Sequence, residues 1–482
     1  MSSNNLNLTG ALVWKFLERS GVQIVQFILS IIIARILAPS DYGSVALLII
    51  FISIATIFVQ SGLSTALVQK KDADEIDFSS VFYYCIMIAT VVYWVLFYSA
   101  KWIAGFYKIQ ELVPLMRVMA LILYPGAVNA IQIAILSKQF QFKKQFYCSM
   151  IAVSFSGVLG LIMALLDFGP WALVGQQLSY QVIICISLAG FIKWLPSLQF
   201  SYKRTKNLLA YGLKLLGARL IDTIYHNLES LIIGKQYSTE ILAFCNKGKQ
   251  FPMTLIDNID GSIQSVMLPA YSARQDDLEE VKMLVRKSVS LSTYLVFPAM
   301  LLLAAMGKPL ILLMLGEKWF DSIIYLQLFC FVAMVFPLQT TCLQAINALG
   351  KSGVFLHVMI FKRIIGVVIL FSAIFVYNSP LSVVIAALFV ELVGVAINIL
   401  PNKHYLNYSL GEQMSDILPN FIIATITAFV VYLISFVEMN NFLILCIQGG
   451  SGIILYLIFS YITKNSGLEY VTNVLLKKNK NS

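Results

Sequence analysis

Four polar residues fall within eleven positions of a largely apolar stretch: Arg219, Asp222, His226 and Glu229. Their steps of three, four and three put them on one face of a helix. A charge held inside a bilayer is costly unless it faces water or a partner. If the helix begins near residue 208, Arg219 and Asp222 lie about 17–21 Å along it, close to mid-membrane. Such a face suits an aqueous cavity. Guanidinium groups bind anions, phosphate above all, while the carboxylates and the imidazole can exchange a proton or hold a cation.

The same chemistry recurs. Segment 11–35 carries Lys15, Arg19, Gln23 and Gln26 at near-helical spacing, with Glu18 as a partner for its cations. Segment 240–268 adds Lys247, Lys249, Gln250, Asp257 and Asp260. Cations in a cleft of low dielectric attract an anionic cargo. The candidate substrate-binding residues are therefore Lys15, Arg19, Lys214, Arg219, Lys247 and Lys249. The candidates for ion coupling or for the polar lining are Asp222, His226, Glu229, Asp257, Asp260 and Glu391. A bland reading stands beside each one: charges pair to lock helices together, or snorkel to the headgroups from helix ends. Lys362, Arg363 and Arg117 stand near interfaces and read as snorkelling, and Lys15 fits either account.

The elements that position these residues follow from composition. Of the 482 residues, 59% are hydrophobic and 12% charged, where soluble globular proteins have roughly 25% charged. Apolar stretches of about 20 residues can span a bilayer. They are read at 11–35, 42–63, 80–104, 113–136, 146–166, 171–192, 208–233, 240–268, 284–306, 322–348, 353–377, 381–400, 415–437 and 442–463. The expected fold is all-α, a polytopic bundle of about fourteen transmembrane helices, with Leu310–Leu315 as a short re-entrant or interfacial piece. Lys15, Glu18 and Arg19 interrupt the first apolar stretch, so it reads as a retained helix and not a cleavable signal peptide.

The net charge of +10 sits in short loops, the pattern of membrane topology and not of nucleic-acid binding. With the N-terminus inside, nineteen loop and tail cations fall on the cytoplasmic side and six on the other. Both termini are then cytoplasmic, and the basic tail LLKKNKNS lies against the inner leaflet. The seven cysteines form no CxxC pair and read as small apolar fillers, so neither a metal site nor a cofactor is expected. Loops of at most about twenty residues leave no room for a soluble catalytic domain, and no GxxxxGK[ST] loop is present. The chain reads as a non-enzyme.

Residues repeat at an offset near 200. Lys15 and Arg19 recur as Lys214 and Arg219, Arg35 as Lys235, and Pro125 with Gln132 as Pro337 with Gln344. Six helices separate the copies, so the halves share one orientation, a transporter architecture. The expected organisation is a six-helix half at 1–200, a second at 201–402, and two further helices with the basic tail at 403–482.

Several blocks carry a family likeness: ARILAPSDYGSVAL (34–47), SGLSTALVQKKD (61–72) with Phe78 opening the next helix, AGFYK (104–108) and AILSKQFQFKK (134–144). In the second half LESLIIGKQYSTEILAFCNKGKQFP (228–252) looks like the corresponding repeat. Together they resemble the Wzx-type polysaccharide flippases, particularly the WzxC-like branch associated with lipopolysaccharide and colanic-acid export. The likeness spans most of the chain and fades after about residue 400.

The resemblance implies membership of the superfamily that includes the multidrug and toxic-compound extruders. It implies two six-helix bundles around a central cavity, working by alternating access. It also implies a cargo, an undecaprenyl-diphosphate-linked oligosaccharide carried across the inner membrane of a bacterium for O-antigen, capsule or exopolysaccharide synthesis. The implied partners are that lipid-linked oligosaccharide, membrane lipid, a coupling proton or sodium ion, and the polysaccharide polymerase and glycosyltransferases. Lumen-facing cations map onto Arg19, Lys214 and Arg219. One alternative is a cation-coupled multidrug exporter, whose cavity should be net acidic, whereas here cations match or outnumber acids. Another is a membrane-embedded polymerase or glycosyltransferase, which needs a larger outer loop than this chain has.

Overall fold

A computed structural model describes residues 8–60, 62–377, 379–470 and 472, and every regular element among them is helical. The side chains of a few helix residues, Lys203 and Lys214 among them, lie outside the description, as does the tail LLKKNKNS. Twelve helices among the described residues are long and apolar enough to cross a bilayer, and the chain is a multi-pass integral membrane protein. Helices suit this solvent because they satisfy their own backbone hydrogen bonds.

The chain divides into two compact units between Ala243 and Phe244. The first holds α1 (Leu8–Ile36), α2 (Pro39–Gln60), α3 (Leu63–Gln69), α4 (Glu75–Tyr107), α5 (Leu112–Met119), α6 (Leu123–Lys138), α7 (Phe142–Leu165), α8 (Pro170–Ile192) and α9 (Tyr202–Gln236). A single 3₁₀ turn, Ala120–Ile122, joins α5 to α6, and together they make the one span Leu112–Lys138 expected at 113–136. α1 packs on α7, α7 on α8, and α4 on α6. α9 packs on α2, α3 and α4, which is why the compact division falls later than the boundary expected near residue 200.

The second unit opens inside α10 (Thr239–Ser272). It continues with α11 (Leu278–Ala305), α12 (Gly307–Met314), α13 (Ser322–Ala348), α14 (Ser352–Tyr377), α15 (Pro380–Leu406), α16 (Leu410–Leu433) and α17 (Asn441–Ile462). α11 packs on α13 and α16, α13 on α15, α14 on α15, and α16 on α17. The short piece expected at 310–315 is α12, an eight-residue helix that follows α11 after Met306. Of the fourteen expected spans, 208–233 and 240–268 fold as α9 and α10, of 35 and 34 residues. Their charges keep them below the apolar content that the other twelve reach.

Local chemistry sets the boundaries. Asp74 caps α4 in a capping box with Asp77, and Ser409 caps α16 in one with Glu412. Asp277 caps α11 by accepting from the amides of Glu279 and Glu280. Pro170 and Pro380 stand in the first turns of α8 and α15, where a missing N–H costs nothing. Gly43 is required by a close approach, since a Cβ there would stand 1.7 Å from the carbonyl oxygen of Thr239.

The same helices recur in the same order. α2 and α10 begin at 39 and 239, α4 and α11 at 75 and 278. α5 and α13 begin at 112 and 322, α7 and α14 at 142 and 352, α8 and α15 at 170 and 380, all steps of 210. The Pro125–Pro337 match, a step of 212, is therefore two residues out of register, and Pro337 corresponds to Ala127.

Candidate functional site

On α1, Lys15 pairs with Glu18 at 2.8 Å and lies 5.6 Å over the ring of Phe142. The other Glu18 oxygen is 3.5 Å from both Gln145 and Ser149 on α7. Lys15 and Glu18 thus fasten α1 to α7. Arg19 is exposed and forms no ion pair among the described residues.

The four-residue face of α9 separates on folding. His226 Nε2 lies 3.4 Å from Asp222 Oδ1 on the exposed surface, while Glu229 is buried in the packing of the first unit. Arg219 is exposed and, like Arg19, has no ion pair among the described residues. The two arginines are 200 positions apart, the step that also separates the ends of α1 and α9, Ile36 and Gln236. Lys214 lies outside the described side chains.

In the second unit Lys247 is buried, 3.2 Å from Gln250 Oε1 and 6.0 Å over the buried Trp319 ring. Lys249 is half-buried over Phe329 at 5.1 Å. Both ammonium groups are thus engaged by aromatic faces of their own unit. Asp257 is exposed. Asp260 Oδ2 accepts from Gln264 at 2.7 Å and from Thr340 of α13 at 3.1 Å, while its Oδ1 is buried without a hydrogen-bond partner.

One residue before Thr340, Gln339 donates to Glu391 of α15, reaching its main-chain oxygen and its Oε2 at 2.7 Å each. Two neighbours on α13 thereby engage two carboxylates on different helices. Lys362 of α14 donates to Gln339 Oε1. It is turned between helices and does not snorkel outward, because Gly394 leaves the space: a Cβ there would meet Lys362 Cε at 2.7 Å. Arg117 also stays inside, stacked 4.1 Å from the ring centroid of Phe97 and donating to that residue's carbonyl at 3.3 Å.

The first unit carries the same clasp without charge. Asn129 donates to the main-chain oxygen of Gln181 at 3.1 Å and to its Oε1 at 2.8 Å. At the positions of Lys362 and Gly394 it has Ala152 and Ile184, members of a buried apolar cluster.

Both units also carry ionic straps that sequence reasoning missed, since their charges read only as loop cations and counter-ions. In the first, buried Asp77 takes Lys70 at 2.5 Å, and Arg204 at the start of α9 takes Asp74 at 2.5 Å. The Arg204 hydrogen bond, helped by the Asp77 amide, holds the Asp74 carboxyl down at about 2. Ser197 and Ser201 of the segment before α9 add bonds of 2.9 Å from their amides to Ser79 and Ser80. In the second unit the polarity is reversed. The bases Lys282 and Arg286 lie on α11 and the acids Glu412 and Asp416 on α16, at 2.9 and 2.8 Å.

A family model described as polysaccharide biosynthesis protein matches residues 32–324, from the end of α1 into α13. The chain belongs to this family. Among similar members, the succinoglycan biosynthesis transport protein ExoT of Rhizobium meliloti (strain 1021) is 24% identical, the match covering 66% of this chain and 64% of ExoT. The lipopolysaccharide biosynthesis protein WzxC of Escherichia coli (strain K12) is 23% identical over 63% of this chain and 62% of WzxC. The chain thus spans under two thirds of each of these relatives. In fold it is similar to the lipid II flippase MurJ in an inward closed conformation. The TM-score is 0.73 at 15% identity, over 94% of this chain and 98% of that one. The family's transporters and the flippase-like fold agree with the Wzx-type likeness of the sequence blocks.

Proposed function

We propose that this protein flips undecaprenyl-diphosphate-linked oligosaccharide units across the bacterial inner membrane, by alternating access through a cationic cavity, for surface polysaccharide synthesis. Both termini face the cytoplasm, where the positive loops lie. The cargo's sugar cannot cross lipid unaided and its diphosphate is anionic, so the cavity needs cations that are free to meet it. The observation that carries this reading is the contrast among the candidate cations. Lys15, Lys247 and Lys249 are engaged within their own units, whereas Arg19 and Arg219 are exposed without ion pairs among the described residues. They are also related by the repeat step. Arg19 and Arg219 are the proposed diphosphate ligands, and Lys214 is proposed as a third cation for the same cargo.

Coupling to a proton or a sodium ion belongs to the second unit in this reading. There Asp260 and Glu391 flank Thr340 and Gln339, and the first unit has only amides at its matching clasp. The test is surface polymer in cells lacking the chromosomal gene and expressing Arg219→Ala at normal membrane level. Loss of polymer, with lipid-linked units stranded on the inner leaflet, is expected. Normal polymer would remove Arg219 from the mechanism, and units already exposed on the outer leaflet in the gene deletion would remove flipping as the function.

A further inference from the structure

The second unit contains a cavity of about 450 Å³ that the transport reading does not use. Its walls are Arg286, Lys287, Ser290 and Leu291 of α11, Asp416 of α16, and the segment 466–470 that follows α17. The size is that of a small-molecule site.

The third wall is held in place. Buried Asn420 donates to the carbonyl of Ser290 at 3.0 Å and to Thr293 Oγ1 at 2.8 Å, and accepts from buried Asn465 at 2.8 Å. Asn465 in turn accepts the Gly467 amide at 2.8 Å. A Cβ on Gly467 would run into the ring of Tyr294 at 2.5 Å, so only glycine lets this segment seat so closely.

The charges that line the cavity are of two kinds. Arg286 and Asp416 satisfy each other through two bonds of 2.8 Å. Lys287 and Glu469 form no ion pair among the described residues, so one cation and one anion that no described residue pairs face a single cavity. Hydroxyls stand beside them, on Ser290, Ser466 and Tyr470. A ligand that answers both charges carries an anion and a cation of its own.

Location narrows the ligand further. The cavity lies at one end of three membrane spans, α11, α16 and α17, where bilayer headgroups collect. From Lys287 an apolar stripe runs up α11 through Leu291 to the exposed Leu295, at helical steps of four. That stripe leads from the charged end toward the hydrocarbon. An occupant with a zwitterionic head and apolar chains fits all three observations.

We infer that this cavity binds a zwitterionic phospholipid with a primary ammonium, its phosphate on Lys287 and its ammonium on Glu469. A primary ammonium is favoured because it donates hydrogen bonds to a carboxylate and a quaternary one does not.

The test is thermal unfolding of the delipidated full-length protein in mixed micelles containing phosphatidylethanolamine, phosphatidylcholine or phosphatidylglycerol at equal fraction. Phosphatidylethanolamine should raise the midpoint about 2–4 °C above phosphatidylglycerol, the shift expected for about tenfold tighter binding to the folded state. Phosphatidylcholine should fall between. Glu469→Lys should reverse the order, since two cations then select the anionic lipid, and Lys287→Glu should abolish the benefit that all three lipids draw from the phosphate contact. A reversal of preference is not produced by poor folding, which lowers all midpoints together. Equal stabilisation of the wild type by all three lipids would overturn the proposal, as would an unchanged order in Glu469→Lys. No transport assay enters, so this result stands or falls apart from the flipping reading.

Discussion

Gln339 holds Glu391 through two bonds from a single amide, one to the main-chain oxygen and one to the carboxylate, at 2.7 Å each. Asn129 holds Gln181 in the same way, and in both units the partners are 52 residues apart. One packing solution therefore serves α6 with α8 and α13 with α15, and it sets the register of the repeat at 210 residues. The two copies differ in filling. Ala152 and Ile184 close the first with apolar volume, while Gly394 opens the second for the Lys362 side chain.

That difference predicts a non-additive mutant series. Lys362→Ala should cost about 1–3 kcal/mol, because it leaves the Gln339 Oε1 acceptor between helices without its donor. Adding Glu391→Gln and Gly394→Ile rebuilds the uncharged arrangement of the first unit and should recover most of the loss. Midpoints of thermal unfolding in one detergent measure both steps. A triple variant no more stable than Lys362→Ala would show that the two clasps are not interchangeable.

Close backbone approach makes the second prediction. Gly43→Ala places a carbon where the Thr239 carbonyl oxygen already stands, so the α2 end and the start of α10 must part. Folded protein recovered from the membrane should fall severalfold. Gly126→Ala on α6 is the control: nothing lies within 4 Å of its new carbon, and replacing a helical glycine should be neutral or slightly stabilising. Size-exclusion profiles of the two variants separate a packing effect from a general intolerance of substitution.

The Arg204–Asp74 strap predicts a pH dependence of definite sign. Asp74 sits in the loop before α4, with its carboxyl held at about 2 against an ordinary 3.8. A carboxylate with a lowered folded value stabilises the fold above its unfolded value and loses that effect as pH falls through the folded one. Asp74→Asn keeps a good helix cap but removes the charge. Its deficit against the wild type should be small, constant from pH 7 down to about 5, and should vanish between about 4 and 2. A deficit that persists at the acid end would assign Asp74 to capping alone.

Much of this was legible in the sequence and part was not, for physical reasons. Apolar stretches declare spanning helices because the bilayer demands them, and twelve of fourteen met that test on length and composition. α9 and α10 fell short for the reason they attract notice: the charges that make them chemically suggestive also lower their apolar content. Periodicity placed Asp222 and His226 together correctly. It could not tell that Glu229, on the same nominal face, would be buried, because burial depends on which helix packs alongside. Lys362 read as a snorkelling cation because nothing near it in sequence shows the space that Gly394 provides 32 residues later. Single-residue matches also misplaced the repeat register by two, whereas paired contacts such as Asn129–Gln181 fix it.

The last prediction separates charge from geometry at the proposed diphosphate ligands. Arg19 and Arg219 occupy matching positions of α1 and α9 and are exposed, so substitution should leave the fold intact. Arg19→Ala and Arg219→Ala should each reduce surface polymer at least tenfold, the loss of about 1.4 kcal/mol or more that a charge-assisted contact supplies. Lysine at either position keeps the charge but not the planar fork that engages two phosphate oxygens, so Arg19→Lys and Arg219→Lys should recover only part of the activity. Full rescue by lysine would mean that the cavity needs only positive potential. Equal loss in lysine and alanine variants would mean that bidentate geometry is required at that site. Immunoblots of the membrane fraction hold protein level constant across the four variants, and polymer per unit of protein is the quantity compared.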